Sequence, residues 1–307
     1  MPCPTCSLWR FWSALAGPRA GLPRSLYRTR RTDRMRLTRV ARFSCGHRFW
    51  DPSLTPEENT RRFGIYASPY NHGHNYELHV TVEGDIQPTT GMVVNIRKVK
   101  EDIEREIVQV LDRKSLNDEV EPFDRVPPNL ENLIRWIAER IPAPGGAKLR
   151  RLRLYEMYDF YSELDLYGEA PMLTLTRGYH FSASHRLHSP HLSDEENQAL
   201  FGPCNNPHGH GHNYELEVTI GGDADPKTGM LVDIDELDAV VQREVVERYD
   251  HRNLNVELPE FQNQNPTSEM LLREIWKRLR DKVPARLVRV VLRETPRNVF
   301  EYSEENE

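Results

Sequence analysis

HGHNYELHVT at residues 72–81 returns as HGHNYELEVT at residues 210–219, and this near-identity decides how the chain is built. Working outward, TRVARFSCGHRF at 38–49 matches TRGYHFSASHRL at 176–187, placing Phe181 138 residues after Phe43. The register then holds without a gap. Phe63-Gly64 falls on Phe201-Gly202, Thr90-Gly91-Met92 on Thr228-Gly229-Met230, Leu116-Asn117 on Leu254-Asn255, Glu131 on Glu269 and Glu156 on Glu294. Self-similarity at a fixed long period marks a duplicated unit. We therefore read one domain twice, at 35–168 and 173–303, behind a leader at 1–34.

Each copy reads as strand, long loop, strand, helix, loop, helix, strand. Phe181, Ala183, His185 and Leu187 alternate with polar neighbours, the period of a half-buried strand. In the repeated decapeptide His210, His212, Tyr214, Leu216, Val218 and Ile220 share one face, so both histidines join the apolar side. Asp233 and Glu236 fit a capping box ahead of a helix whose buried stripe is Ile234, Leu237, Val241 and Val245. Thr267 or Ser268 starts a second helix with Leu272, Ile275, Trp276 and Leu279 inward. A last strand over 287–294 aligns Val288, Val290 and Leu292 with Glu294, a carboxylate that then needs a partner.

Composition narrows the function classes. Of 307 residues, 29% are charged and 38% hydrophobic, and no run approaches the roughly 18 apolar residues of a membrane span. A formal net charge of −6 gives no general reason to expect nucleic acid. Small-molecule chemistry is the default. Cys3, Cys6, Cys45 and Cys204 are too few and scattered for a disulfide framework, which points to a reducing, cytoplasmic setting. Residues 1–34 carry a string of arginines and either resemble a transit peptide or precede the true start at Met35. The Cys3/Cys6 pair has no second pair nearby to make a metal site with it.

His210-Gly211-His212 presents two imidazoles from one strand face, and His185 on the preceding strand supplies a third. Three histidines with an open fourth position suit a catalytic zinc ion. Any one of them alone reads more simply as an ordinary core or surface histidine, but the set recurs as His47, His72 and His74. Cys204 lies in the loop CNNPHGHGHNY, where thiols beside a metal and imidazoles serve as bases or nucleophiles. An inert cysteine or a fourth ligand is the rival reading. Asp250-His251 ends the first helix of the second copy, either as a carboxylate-oriented proton donor or as a histidine facing a helix dipole. Glu269 and Glu294 are candidate anchors for a guanidine-like ligand edge, with helix capping the alternative for Glu269.

FSASHRL, CNNPHGHGHNY, TGMLVDIDEL, YDHRNLN, NPTSEM and RET resemble, in order and spacing, the 6-pyruvoyltetrahydropterin synthase family, which includes 6-carboxytetrahydropterin synthase of queuosine biosynthesis. The likeness covers nearly all of 173–303. It implies an α+β tunnelling fold: a four-stranded antiparallel sheet backed by two helices, three such units closing a twelve-stranded barrel. It implies that His185, His210 and His212 bind Zn2+, that Cys204 abstracts a proton, and that Asp250 with His251 relays a second. Thr267, Ser268, Glu269 and Glu294 would line the pterin pocket, with Glu294 also coupled to the catalytic protons. The implied activity is a lyase acting on 7,8-dihydroneopterin triphosphate. Five residues separate Cys204 from His210, the spacing of the 6-pyruvoyl enzymes, whereas the queuosine type often has three.

The first copy keeps its triad but has Tyr66 in the place of Cys204 and Arg113 in the place of His251. A tyrosine hydroxyl, ordinarily ionising near pH ~10, and an always-charged guanidinium are poor substitutes for a thiolate and an imidazole. The first copy is expected to be a zinc-loaded partner, a pterin-binding site or a site for another reaction, and a non-catalytic zinc or pterin scaffold is the rival function for the whole. Sites built between units, as the resemblance implies, suggest a homo-oligomer. We expect a trimer, a pseudo-hexamer in which second halves form one barrel and first halves another.

Overall fold

The computed structural model describes residues 34–142, 145–303 and 305. The leader and the Cys3/Cys6 pair lie outside them, apart from Arg34, which opens β1. The first repeat supplies β1 (Arg34–His47), β2 (His72–Asp85), β3 (Lys148–Met157) and β4 (Phe160–Asp165). The second supplies β5 (Met172–His185), β6 (His210–Gly221), the two-residue β7 (Arg252–Asn253), β8 (Arg286–Thr295) and β9 (Asn298–Ser303). Each repeat is thus a four-stranded antiparallel sheet with helices packed on one face, the α+β class expected. The fourth strand, β4 or β9, is one that periodicity alone did not pick out.

Alternation fixes which face of the sheet takes the helices. Tyr76, Leu78, Val80 and Val82 are all buried, as are Tyr214, Leu216, Val218 and Ile220. At about 1.5–3 kcal/mol for each such side chain, a one-residue slip would expose the whole row, so register is strongly held. Ile234, Leu237, Val241 and Val245 meet Leu272, Ile275, Trp276 and Leu279 over this face, all buried as their spacing predicts. The helices that follow β2 and β6, starting at Ile96 and Ile234, widen into a π-type turn at the same place, Glu104–Val108 and Gln242–Val246.

Three expectations change. Asp233 caps its helix by accepting the Asp235 N–H without the reciprocal bond from Glu236; complete capping boxes occur instead at Thr55/Glu58 and Ser193/Glu196. A bulge near Val288, where Thr219 pairs Arg289 but Ile220 pairs Leu287, swaps Leu287 into the core in place of Val288. The third concerns assembly. The two repeats share one sheet in the order β1-β2-β3-β4-β5-β6-β8-β9, with Phe160 opposite Arg177 and Asp165 opposite Met172. First and second halves are therefore joined edge to edge, not parted into separate barrels.

Candidate active site

Antiparallel pairing of β5 with β6 sets His185 opposite His210 and Ala183 opposite His212. All three imidazoles fall on the helix-side face, each offering a nitrogen within 4.8 Å of the others. The residue before them is left-handed in both repeats: Gly209 has φ +72°, where a Cβ would lie 3.0 Å from the His185 carbonyl oxygen, and its counterpart Asn71 has φ 60°. His185 Nδ1 sits 2.7 Å from the Pro266 carbonyl. A carbonyl only accepts, so Nδ1 carries the proton and Nε2 keeps its lone pair. That Nε2 and His210 Nδ1 are buried without a hydrogen-bond partner. Orphaned imidazole nitrogens aimed at one another fit a metal ion, and burial holds both histidines below their usual pKa, in the neutral ligand form.

Glu294 completes this wall. Its Oε1 lies 3.9 Å from His185 Nε2 and 3.8 Å from His212 Nε2, and it accepts the Ser268 hydroxyl at 2.6 Å. Its Oε2 accepts the Asn298 amide at 3.0 Å. Burial pushes this carboxyl upward, but Ser268, Asn298 and the imidazoles outweigh that and leave it below the ordinary carboxylate range. It is an ionised acceptor beside the metal position.

Cys204 is half-buried in the short turn Gly202–Asn205, whose end is tied to the strand by Leu187 N–H donating to the Cys204 carbonyl at 2.9 Å. The thiol loop therefore sits where β5 leaves His185. Asp250 uses both oxygens: Oδ1 accepts the Ser182 N–H at 2.7 Å, and Oδ2 lies 2.8 Å from His251 Nδ1. The Ser182 N–H, then His251, holds Asp250 below its usual pKa. His251 has φ 57°, and Arg113, its counterpart, has φ 60°. Because both copies share this left-handed backbone, it belongs to the fold, and only the side chain differs in chemistry. A cleft of about 520 Å³ is lined by Ser182, Ser184, Gly211, His212 and His251.

Thr267 caps the helix Ser268–Leu279 through its side chain, and Ser268 behind it is buried. Glu269 is exposed. Its counterpart Glu131 is buried and accepts the Leu231 N–H at 3.0 Å, while the Asn129 and Asn132 amides donate to the Thr228 carbonyl at 3.0 and 2.8 Å. The wall of the first repeat's site is thus built by the second repeat.

That first site has the same frame. His47, His72 and His74 converge within 4.8 Å, His47 Nδ1 meets the Pro128 carbonyl at 2.7 Å, and Nε2 of both His47 and His74 is orphaned. Burial pulls His47 down to about 3 and His74 to about 4. The carboxylate, however, is changed. Ser268 and Asn298 have become Leu130 and Phe160, so Glu156 has the Tyr76 hydroxyl at 3.3 Å and His74 Nε2 at 3.4 Å, and burial pushes it up to about 7. Asn298 escaped the sequence reading; its change to Phe160 between copies was the available signal. Tyr66 lies stacked on Phe49 in the place of Cys204.

The sequence profile described as 6-pyruvoyl tetrahydropterin synthase matches residues 36–165 and again 174–305. The chain is 46% identical over 137 residues to the 6-pyruvoyl tetrahydrobiopterin synthase of Drosophila melanogaster, covering 44% of this chain and 82% of that one. To the enzyme of the same name from Homo sapiens it is 42% identical over 139 residues, 45% of this chain and 96% of that one. A solved 6-pyruvoyl tetrahydropterin synthase of Caenorhabditis elegans is 40% identical, with 43% of this chain and 96% of that one covered and a TM-score of 0.42.

Proposed function

The chain belongs to the 6-pyruvoyl tetrahydropterin synthase family, and from that premise we propose that its second repeat is a zinc-dependent lyase converting 7,8-dihydroneopterin triphosphate to 6-pyruvoyltetrahydropterin with loss of triphosphate. The observation that carries this reading is the convergence of three imidazoles beside an ionised Glu294, in a repeat that also carries Cys204 where β5 ends and the Asp250–His251 pair, whereas the first repeat has Tyr66 and Arg113 in those places.

His185, His210 and His212 would hold the zinc ion, which when bound would supply Lewis acidity toward the substrate's side-chain hydroxyls. The chain's own groups do the rest. Glu294, ionised and fixed by two donors, accepts the paired N–H groups of the pterin's guanidine-like edge, and Thr267 and Ser268 border the same wall. Cys204 takes the carbon-bound proton. Asp250 Oδ2 holds His251 by Nδ1, leaving Nε2 to carry protons in the cleft shared with His212. The first repeat, with Tyr66, Arg113 and a Glu156 near its titration point, does not perform this reaction; it is a metal-bearing structural partner.

The 6-carboxy product on the same substrate is the second reading, and the five-residue interval between Cys204 and His210 favours the first. Among the described residues no helix is long and apolar enough to cross a membrane, and we place the protein in the cytoplasm on the reduced state its scattered cysteines imply. Incubating zinc-loaded protein with 7,8-dihydroneopterin triphosphate and weighing the products tests the proposal. The 6-pyruvoyl product is expected; the 6-carboxy product would establish the alternative, and untouched substrate a non-catalytic scaffold. Cys204→Ala should keep its zinc and lose turnover, and unchanged turnover would end the assignment of the proton to that thiol.

A further inference from the structure

Both repeats tie down the chain that leaves the first histidine of the triad, and at the main chain they do it alike. Phe49 N–H donates to the Tyr66 carbonyl at 2.8 Å, as Leu187 N–H does to the Cys204 carbonyl at 2.9 Å. The N–H groups of Arg48 and Arg186 donate to the side-chain oxygens of Asn117 and Asn255 at 2.9 and 2.7 Å. Asn59 and Asn197, both fully buried, accept the Asp51 and Ser189 N–H, each at 2.7 Å. Contacts shared by a repeat with Cys204 and a repeat with Tyr66 belong to the fold. Contacts made only beside Cys204 belong to what the second repeat alone does.

One such set is built on Arg186. Its Nε donates to both the backbone carbonyl and the side-chain oxygen of Asn205, each at 3.1 Å, and its Nη2 lies 3.2 Å from His188 Nδ1. A guanidinium only donates, so His188 Nδ1 is an acceptor, and it and Asn205 Oδ1, 3.1 Å apart, are gathered on one cation. His188 N–H donates in turn to the side-chain oxygen of Asn265 at 3.1 Å, one residue before the Pro266 carbonyl that meets His185. In the first repeat His188, Asn205 and Asn265 are replaced by Trp50, Ala67 and Pro127. The arginine stays but is aimed elsewhere. Arg48 Nη1 donates to Asn71 Oδ1 at 2.6 Å and Nη2 lies 3.5 Å from Asp118, positions held in the second repeat by Gly209 and Val256.

We propose that Arg186, His188 and Asn205 form a bracket that holds the Cys204 turn against the end of β5, with His188 and Asn205 as positioning residues for the thiol. The main-chain bond at Cys204 fixes a point of the turn Gly202–Asn205 but not its orientation. Two bonds from Arg186 to the next residue, which is 7% exposed, supply that orientation. Taking a proton from carbon demands a narrow geometry, and neighbours locked by their own hydrogen bonds keep it. Through Asn265 and Pro266 one short segment supports both the bracket and the His185 ring, so thiol and metal position share a frame. The first repeat has no cysteine at this place to aim, and there Phe49, Phe63 and Ala67 pack with Tyr66 instead. The contacts stand whatever the reaction; their use in aiming a proton-abstracting thiol rests on the lyase reading.

His188→Ala and Asn205→Ala, each made in the full zinc-loaded chain, test the bracket. Turnover of 7,8-dihydroneopterin triphosphate should show kcat lowered about 10–100-fold, with KM, bound zinc and melting temperature near wild type. His188→Asn, which returns an acceptor near the place of Nδ1, should restore most of kcat. A second measurement needs no turnover: alkylation of Cys204 by iodoacetamide, followed peptide by peptide by mass spectrometry, should run several-fold faster in both alanine variants, because a half-buried thiol on a loosened turn is reached more often. Unchanged kcat with unchanged alkylation overturns the bracket. A raised KM with kcat intact gives these residues to substrate binding and overturns the positioning role, as does a loss of zinc that His188→Asn fails to restore. Faster alkylation in the variants of a wild type that shows no turnover overturns the lyase reading and leaves the bracket standing.

Discussion

Ser268→Ala isolates what a single hydroxyl does for Glu294. Ser268 is 3% exposed and its hydroxyl lies 2.6 Å from Oε1, so no water stands ready to replace it. A hydrogen bond to a charged group contributes about 1.5–3 kcal/mol. The helix should not suffer, because Thr267 supplies the cap and alanine is the better helix former. The loss falls on the carboxylate, which keeps only Asn298. The first repeat already displays the far end of this change: with Leu130 and Phe160 in these positions, Glu156 rises to about 7. Losing ~1.5–3 kcal/mol of carboxylate stabilisation should weaken substrate binding roughly ten- to hundredfold, and the acid limb of the kcat/KM profile should move to higher pH. Zinc content and melting temperature should stay near wild type. Measuring KM and kcat across pH decides it: an unmoved acid limb with unchanged KM would show that Glu294 neither needs this hydroxyl nor binds as an anion.

Replacing His210 and His212 by alanine should lower bound zinc from two ions per chain to one, as should replacing His72 and His74, read by metal analysis of dialysed protein. Glu131→Ala leaves the buried Leu231 N–H without its acceptor and should cost about 1–3 kcal/mol in urea unfolding, whereas Glu131→Gln should recover much of it. Lys282 first, then Arg243 and Arg278, lowers Glu244 from 4.5 to about 2. A depressed carboxylate contributes stability above pH 4.5 and loses it as pH falls toward 2, so the stability gap between wild type and Glu244→Gln should close over that window. A gap that persists at pH 2 would assign it to packing.

Much of the site was legible because its evidence is local. Two histidines two apart on a strand must share a face, and a duplicated chain repeats its own experiment, so His47, His72 and His74 vouch for His185, His210 and His212. The relay pair was legible as residue types, but its geometry was not. Nothing in the letters YDHRNLN says that Asp250 spends one oxygen on the Ser182 N–H, or that His251 adopts a left-handed backbone also found at Arg113. Glu269 was read as a ligand anchor from its type, yet its counterpart Glu131 is bound to backbone across the junction.

What the sequence determined alone was the duplication, the metal triads and the loss of Cys204 and His251 equivalents from the first copy, because residue identity and strand alternation need no knowledge of distant neighbours. Tertiary structure decided the charge of the two carboxylates and the joining of the repeats. Ser268 and Asn298, arriving from a helix and a strand 26 and 4 residues away, hold Glu294 below the ordinary carboxylate range, whereas Glu156, with Leu130 and Phe160 in those places, is pushed up to about 7 by its burial. Likewise β4 meets β5 through backbone groups that every residue carries, so only the folded sheet could say that the two halves share one edge.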